Sequence, residues 1–312
     1  MQAIFSQVSR ASRALSGDHV PASRRATLEQ VGADWSATLR RAERVLEAPA
    51  GSLSGLEAPR TILGSSKKTQ KAGTAENALV AVAYLAPGSM LSRVAGGSLE
   101  STLCPMATLN GCESACLGGD LGRGQLSMPR GSARRAQLGR TALLLGSPMA
   151  FGALLRHDLE SLSRRSRAAG LPAFVRMDGT SDVGIATQSA FRDVLESLEL
   201  SSYDYTKMPG RALNSSGGHV VTFSGSPRNL RAARMVLERG GRVAVVVAAR
   251  SGEHVERAES LEILRELVSG TGARMVDGDA SEPLEDRGPE LRILSAKIGK
   301  SEGWDAISGF AF

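Results

Sequence analysis

From Ala78 onward, short apolar runs bounded by glycine or proline alternate with helical patterns, and this alternation constrains the fold more than any other feature. The first run, Ala78 to Ala86, is apolar throughout and stops at Pro87-Gly88, as a strand covered on both faces does. Further strands are predicted at Pro172–Met177, Leu200–Tyr205, His219–Phe223, Arg242–Ala248, Ala273–Val276 and Leu291–Ala296. Helices are predicted between them, at about Arg134–Leu145, Met149–Ala169, Gln188–Leu198, Pro227–Gly240 and Leu261–Val268. Strands alternating with helices signal a parallel sheet, and this many units predict an α/β fold in the form of a full or partial (β/α) barrel. Apolar residues make up 42% and aromatic residues only 4%, so the core is expected to be built from Leu, Val and Ala.

The chain ahead of this region reads differently. Residues 1–73 hold eleven Lys/Arg against six Asp/Glu, so most of the net charge of +6 lies there. One helix is predicted, about Thr27 to Leu46, from the spacing of Leu28, Val31, Trp35, Leu39 and Val45 or Leu46. Pro49, Gly51, Gly55 and Pro59 end it, and Lys67-Lys68-Thr69-Gln70-Lys71 reads as a polar linker. Residues 1–73 are therefore expected to be a basic, partly helical or disordered extension, loosely docked, and residues 74–312 the barrel-like domain. The extension would give weak, electrostatic contact with nucleic acid. No run of about 18 apolar residues occurs, so no membrane-spanning helix is expected. No apolar core of a secretory signal opens the chain, and a cytoplasmic location is expected.

All three cysteines, Cys104, Cys112 and Cys116, fall within thirteen positions after the first strand, spaced C-x7-C-x3-C. An odd number of thiols does not suit a disulfide framework and fits a reducing compartment. Three thiolates from one loop suit a [4Fe–4S] cluster that leaves one iron open. A zinc ion with a fourth ligand such as His157 or His219 is the alternative, and three separate buried thiols the plainest one.

A parallel sheet places function where its strands end. Those ends carry Asp178, Thr180, Ser181 and Asp182 after the second strand, Tyr205 and Lys207 after the third, Ser224 after the fourth, Asp279 near the sixth and Lys297 after the last. Gly118 and Gly119, which follow the cysteines, could bring backbone N–H groups against an anion. These residues are the candidate cofactor- and substrate-binding set. Asp178 and Asp182 could equally form an Asx turn with a helix cap. With four histidines and no Ser-His-Asp order, hydrolytic nucleophile chemistry has no support.

Taken in order, Cys104-Pro105-Met106, Cys112, Cys116-Leu117, Arg176-Met177-Asp178-Gly179-Thr180-Ser181-Asp182, Tyr203-Asp204-Tyr205-Thr206-Lys207, Thr222-Phe223-Ser224, Val276-Asp277-Gly278-Asp279 and Ala296-Lys297 with Ser308-Gly309-Phe310 resemble an uncharacterised protein family encoded by bacteriophages and mobile elements. The resemblance runs from about Lys67 to Phe312. That family looks like a distant relative of the radical S-adenosylmethionine enzymes, whose three cysteines follow the first barrel strand. The resemblance implies Cys104, Cys112 and Cys116 as ligands of a [4Fe–4S] cluster, S-adenosylmethionine chelated by its open iron, and a small-molecule substrate for radical chemistry. The superfamily's usual spacing is C-x3-C-x2-C, from which this chain departs. A phage-encoded copy would work in the host cytoplasm. The competing expectation is a non-enzymatic accessory protein with a zinc-stabilised loop and a basic tail that binds nucleic acid or a partner.

Overall fold

The computed structural model describes residues 2–15, 20–21, 23–65, 70, 73–74, 76–94, 96, 103–112, 116, 131–215, 218–247, 254–280, 284, 287–295 and 311–312. The fold is mixed α/β, with eight strands among the described residues, mostly parallel. The chain divides into two compact units, one of residues 1–105 and 116–202 and one of residues 106–115 and 203–312.

In the first unit, β2 (Leu79–Ala83), β3 (Ala173–Arg176) and the start of β4 (Ser201–Thr206) run parallel, with Val82 opposite Arg176 and Val175 opposite Ser202. The short β1 (Leu63–Gly64) is the exception and lies antiparallel to β2, Leu63 opposite Ala83. Its two residues are too few to show period-2 patterning, so no local pattern announces it. Between β2 and β3 the described residues include the long helices α5 (Ser132–Gly146) and α6 (Pro148–Ala169), which meet at Ser147 where proline starts the second. The short α4 (Gly88–Val94) precedes them and α7 (Ser189–Ser197) follows β3.

The unit also takes in the amino-terminal residues. Among the described residues there, the α-helices α1 (Gln2–Leu15), α2 (Arg24–Ala33) and α3 (Trp35–Leu46) form, so the single helix expected at about Thr27–Leu46 is split by a turn at Asp34. Ile4, Val8, Ala11 and Leu15 recur along one face of α1 and join the same buried core as Ala83, Val175 and Leu154. That face lies along α6. At the crossing, a Cβ on Gly152 would sit 2.3 Å from the Ala11 carbonyl oxygen and 2.7 Å from Ala14 Cβ. A Gly152→Ala substitution therefore destabilises the protein by up to about 2 kcal/mol, measured by denaturant unfolding. Overpacking against backbone, about 1–3 kcal/mol, outweighs the gain of about 1 kcal/mol in helix propensity.

A buried acid ties β1 to this framework. Asp158 on α6 accepts hydrogen bonds at Oδ2 from the backbone N–H groups of Ile62 (2.6 Å) and Leu63 (3.0 Å), and Arg24 pairs with its Oδ1 at 3.1 Å. Burial pushes the Asp158 carboxyl above its usual range, against the lowering by its hydrogen bonds and by Arg24 and Arg140. Burial likewise lowers the Arg140 guanidinium, and the Asp158 charge raises it.

In the second unit, β5 (His219–Ser224), β6 (Arg242–Val247), β8 (Glu290–Ser295) and β7 (Arg274–Asp277) are neighbours in that order and all parallel. The last strand thus inserts between its two predecessors, which a simple strand-by-strand reading does not anticipate. The helices are α8 (Pro209–Ala212), α9 (Leu230–Glu238) and α10 (His254–Val268). The core joins Val236 and Leu237 of α9 to Val243 and Val245 of β6 and Leu291 of β8. Among the described residues, no helix is long and apolar enough to cross a membrane.

Candidate functional site

Because β2 and β3 are parallel and in register, their carboxyl ends lie at the same edge of the first unit. The chain leaves β3 into the Asp178–Asp182 loop, and this loop folds back over the end of β2. The Gly179 N–H donates to the Ala83 carbonyl at 3.1 Å. A Cβ at Gly179 would lie 2.6 Å from Val82 Cγ1 and 2.8 Å from the Ala83 oxygen, so the approach requires glycine.

Asp178, 4% exposed, shapes the loop. Its Oδ1 accepts from Ser181 Oγ (2.8 Å) and the Val183 N–H (3.1 Å), and its Oδ2 from the Gly184 N–H (2.8 Å). The loop in turn holds the start of the cysteine segment. The Asp182 N–H donates to the Leu103 carbonyl at 2.8 Å, and Cys104 Sγ lies 3.9 Å from the Thr180 carbonyl oxygen. Cys104, Thr180, Ser181 and Asp182 are thus brought together within one unit, at the strand ends where the sequence placed them.

The sequence reading missed what faces them from α5. Arg134, Gln137 and Thr141 are all buried and share one helical face through their i, i+3, i+7 spacing. Gln137 Nε2 donates to Thr180 Oγ1 at 3.2 Å, Thr180 Oγ1 donates to the Leu85 carbonyl, and the Ala86 N–H donates to Thr141 Oγ1 at 2.8 Å. Because the threonine hydroxyl already donates to Leu85, the glutamine must present its NH2 to it, which fixes the amide orientation. Gln137 Oε1 is then buried with no hydrogen-bond partner among the described residues. The periodic polar stripe within an otherwise leucine-rich helix was the signal that could have found it.

The middle of the cysteine segment, residues 106–112, belongs to the second unit. It forms a compact turn in which the Cys112 N–H donates to the Ala107 carbonyl at 3.1 Å and Cys112 Sγ lies 3.5 Å from the same oxygen. Asn110 anchors the turn beyond β5. Its Oδ1 accepts from Asn229 Nδ2 at 2.6 Å, and its carbonyl accepts from Ser226 Oγ at 3.4 Å. Asn229 Nδ2 also reaches the Ser224 carbonyl at 3.2 Å, which places Ser224 beside this turn. Asp204 and Lys207 are buried at the end of β4, and Tyr205 is half-buried. Asp279 is exposed and accepts from the Ser295 N–H at 2.8 Å, in a turn that joins the ends of β7 and β8. Gly118, Gly119 and Lys297 lie outside the described residues.

All three cysteines are free thiols and half-buried. Thiolates are the donor type that iron–sulfur clusters and zinc take. Among the described residues, no group of three or more His, Cys, Asp or Glu side chains is placed to hold a metal ion. The two histidines considered as zinc ligands have other positions. His157 Nε2 is 3.1 Å from Thr27 Oγ1 on α2, and His219 opens β5, at the opposite end of that strand from the Cys112 turn, about 16 Å away at about 3.3 Å per residue.

The profile of a family described as Gene product 88 matches residues 60–288. The chain belongs to this Gene product 88 family. The match covers Cys104 through Asp279 and leaves α1–α3 outside it, in agreement with the phage-type family that the dispersed motifs resembled. No curated protein and no solved structure matches the chain. The further likeness to radical S-adenosylmethionine enzymes has no support from these comparisons.

Proposed function

We propose that this Gene product 88 family member is an iron–sulfur protein with an enzymatic role of the radical S-adenosylmethionine type. In this reading its strands belong to a full or partial (β/α) barrel, and Cys104, Cys112 and Cys116 are the cluster ligands. Such a centre, when bound, supplies an electron and an open iron to which a small molecule can attach. The remaining work falls to the protein's own residues. Asp178 sets the loop, Thr180 and Gln137 present a fixed polar pair, and Asp182, Tyr205, Lys207, Ser224, Asp279 and Lys297 are the candidate substrate and cofactor contacts. The observation that supports the reading is Cys104 seated on the Thr180 carbonyl at the carboxyl ends of two parallel strands, beside the unpartnered Gln137 oxygen.

Iron, sulfide and zinc analysis of anaerobically purified and reconstituted protein tests it. About four irons per chain and a brown colour, both lost in the Cys104→Ala/Cys112→Ala/Cys116→Ala variant, are expected. One zinc per chain, or no bound metal, overturns it.

A second reading is a non-enzymatic accessory protein with a zinc-stabilised cysteine loop and a basic amino-terminal segment that contacts nucleic acid. It draws on two observations. The Asp178 carboxylate is engaged by three donors of its own loop, and residues 1–73 hold a surplus of five basic residues.

A further inference from the structure

Four of the amino-terminal arginines cluster in the first unit, and three of them, Arg10, Arg13 and Arg44, are exposed. Arg10 and Arg13 on α1 are three residues apart, as are Arg41 and Arg44 on α3, so each pair shares one helical face. Both faces line a single open groove of about 930 Å³ in the first unit, together with Val45, Met149 and the junction of α5 and α6. Glu47 is the one acidic residue among those lining it.

Four guanidinium groups around a concavity with one carboxylate repel one another and concentrate a positive field there. For Arg10, Arg41 and Arg44 the described partners do not relieve this. Arg41 Nε donates to the Gly146 carbonyl and its Nη2 to Thr38 Oγ1 at 3.1 Å, both neutral acceptors. Arg10 and Arg44 carry no ion pair or side-chain hydrogen bond among the described residues. Gln7 lines the same groove, and its amide oxygen is buried without a partner.

From this we infer that the groove between α1 and α3 is a binding site for the phosphate backbone of nucleic acid, read without regard to sequence. Guanidinium forks match phosphate oxygens in pairs. An open groove with arginines along both walls suits successive phosphates of a strand better than one enclosed anion. Among the described residues no aromatic side chain lines it, so the attraction argued here is to the backbone and not to stacked bases. The inference rests on the basic-segment part of the second reading above, and it is independent of whether the cysteines hold metal.

The test is binding of the full chain to a fluorescein-labelled single-stranded DNA and to a duplex of equal length, across a salt series. Four phosphate contacts give a slope of log K against log salt of about −3 for the single strand and about −4 for the duplex, or ~10²-fold weaker duplex binding between 50 and 200 mM salt. Arg10→Gln/Arg44→Gln removes two contacts without removing any described ion pair. It should flatten the slope by about 1.5–2 and weaken binding ~10²-fold at low salt, with an unchanged melting temperature. Arg164→Gln/Arg165→Gln on α6 makes the same change in net charge away from the groove and should leave binding within a few-fold of the parent. Equal losses in the two double variants, or no loss in the first, overturn the inference. Displacement of the strand by equimolar inorganic phosphate or mononucleotide also overturns it, in favour of a small-anion site. Metal removal that leaves strand binding intact separates this outcome from the fate of the iron–sulfur reading.

Discussion

Replacing Asp158 by alanine lowers the stability of the protein by about 3–5 kcal/mol, with a fall in melting temperature of roughly 10 °C. The size follows from what the carboxylate holds. Ile62 is fully buried and Leu63 nearly so, and both backbone N–H groups donate to Asp158 Oδ2. Each loses its only described acceptor in the variant, at about 1–3 kcal/mol for a buried donor left unpaired. Arg24 and Arg140 lose the negative charge that offsets their own burial. Asp158→Asn keeps one oxygen for the two N–H groups and should cost less than half as much.

The pH dependence distinguishes this account from a simple cavity. Burial, the largest influence on Asp158, raises its folded pKa above the unfolded value of 3.8. The native state therefore holds the proton more tightly than the unfolded chain does. The sign is fixed by linkage. This contribution is fully present below pH 3.8 and is lost as pH rises through the raised folded value. Parent protein minus Asp158→Asn should thus show a stability difference that shifts against the parent across that window and is flat above it. A difference that instead grows in the parent's favour with rising pH would mean that Arg24 and the backbone donors outweigh burial. Chemical denaturation of both proteins at a series of pH values measures it.

Much of the sheet was legible because its strands are short apolar runs punctuated by glycine or proline. β3, β4, β5, β6, β7 and β8 fall within a residue of their predicted bounds, β2 ends three residues short of Ala86, and α5 and α6 meet between the helices predicted to end near Leu145 and to begin near Met149. Other elements gave too weak a signal. α1 carries its core residues at Ile4, Val8, Ala11 and Leu15, but Arg, Ser and Gln between them give the segment the composition of a solvated tail. Its burial depends on a glycine on another helix, Gly152, more than a hundred residues away, and no local pattern reveals such a pairing. The insertion of β8 between β6 and β7 is likewise a matter of register, with Arg242 and Arg274 both opposite Glu290, and charge pairing at strand starts is not readable without the sheet.

The candidate site divides along the same line. The Asp-Gly-Thr-Ser-Asp motif and the cysteines were visible as residue types that chemistry uses, and the first unit does bring Cys104 to that motif. What the motif does with its acid was not visible. An aspartate that binds a ligand and one that organises a turn look alike in sequence, and only the positions of the Ser181, Val183 and Gly184 donors tell them apart. Gln137 escaped because it lies in a helix read for its leucines.

Asp178→Ala accordingly acts on the shape of the site before it acts on any ligand. Val183 and Gly184 are buried, and their N–H groups lose their acceptor along with the Ser181 hydroxyl. The expected loss is about 2–4 kcal/mol, local to the loop. Amide exchange at Gly184 should quicken by ~10²-fold, since each 1.4 kcal/mol of opening free energy is about tenfold. The Asp182–Leu103 hydrogen bond that seats Cys104 depends on the same loop, so in metal-free protein the Cys104 thiol should react faster with an aromatic disulfide reagent. Asp178→Asn restores little, because its NH2 group meets an N–H donor wherever it is placed. Ser181→Ala, which removes one donor and leaves both backbone bonds, should cost only about 1 kcal/mol. If Asp178→Ala instead left Gly184 exchange and Cys104 reactivity unchanged while abolishing metal or substrate binding, the carboxylate would be a direct ligand, and its hydrogen bonds within the loop would be incidental.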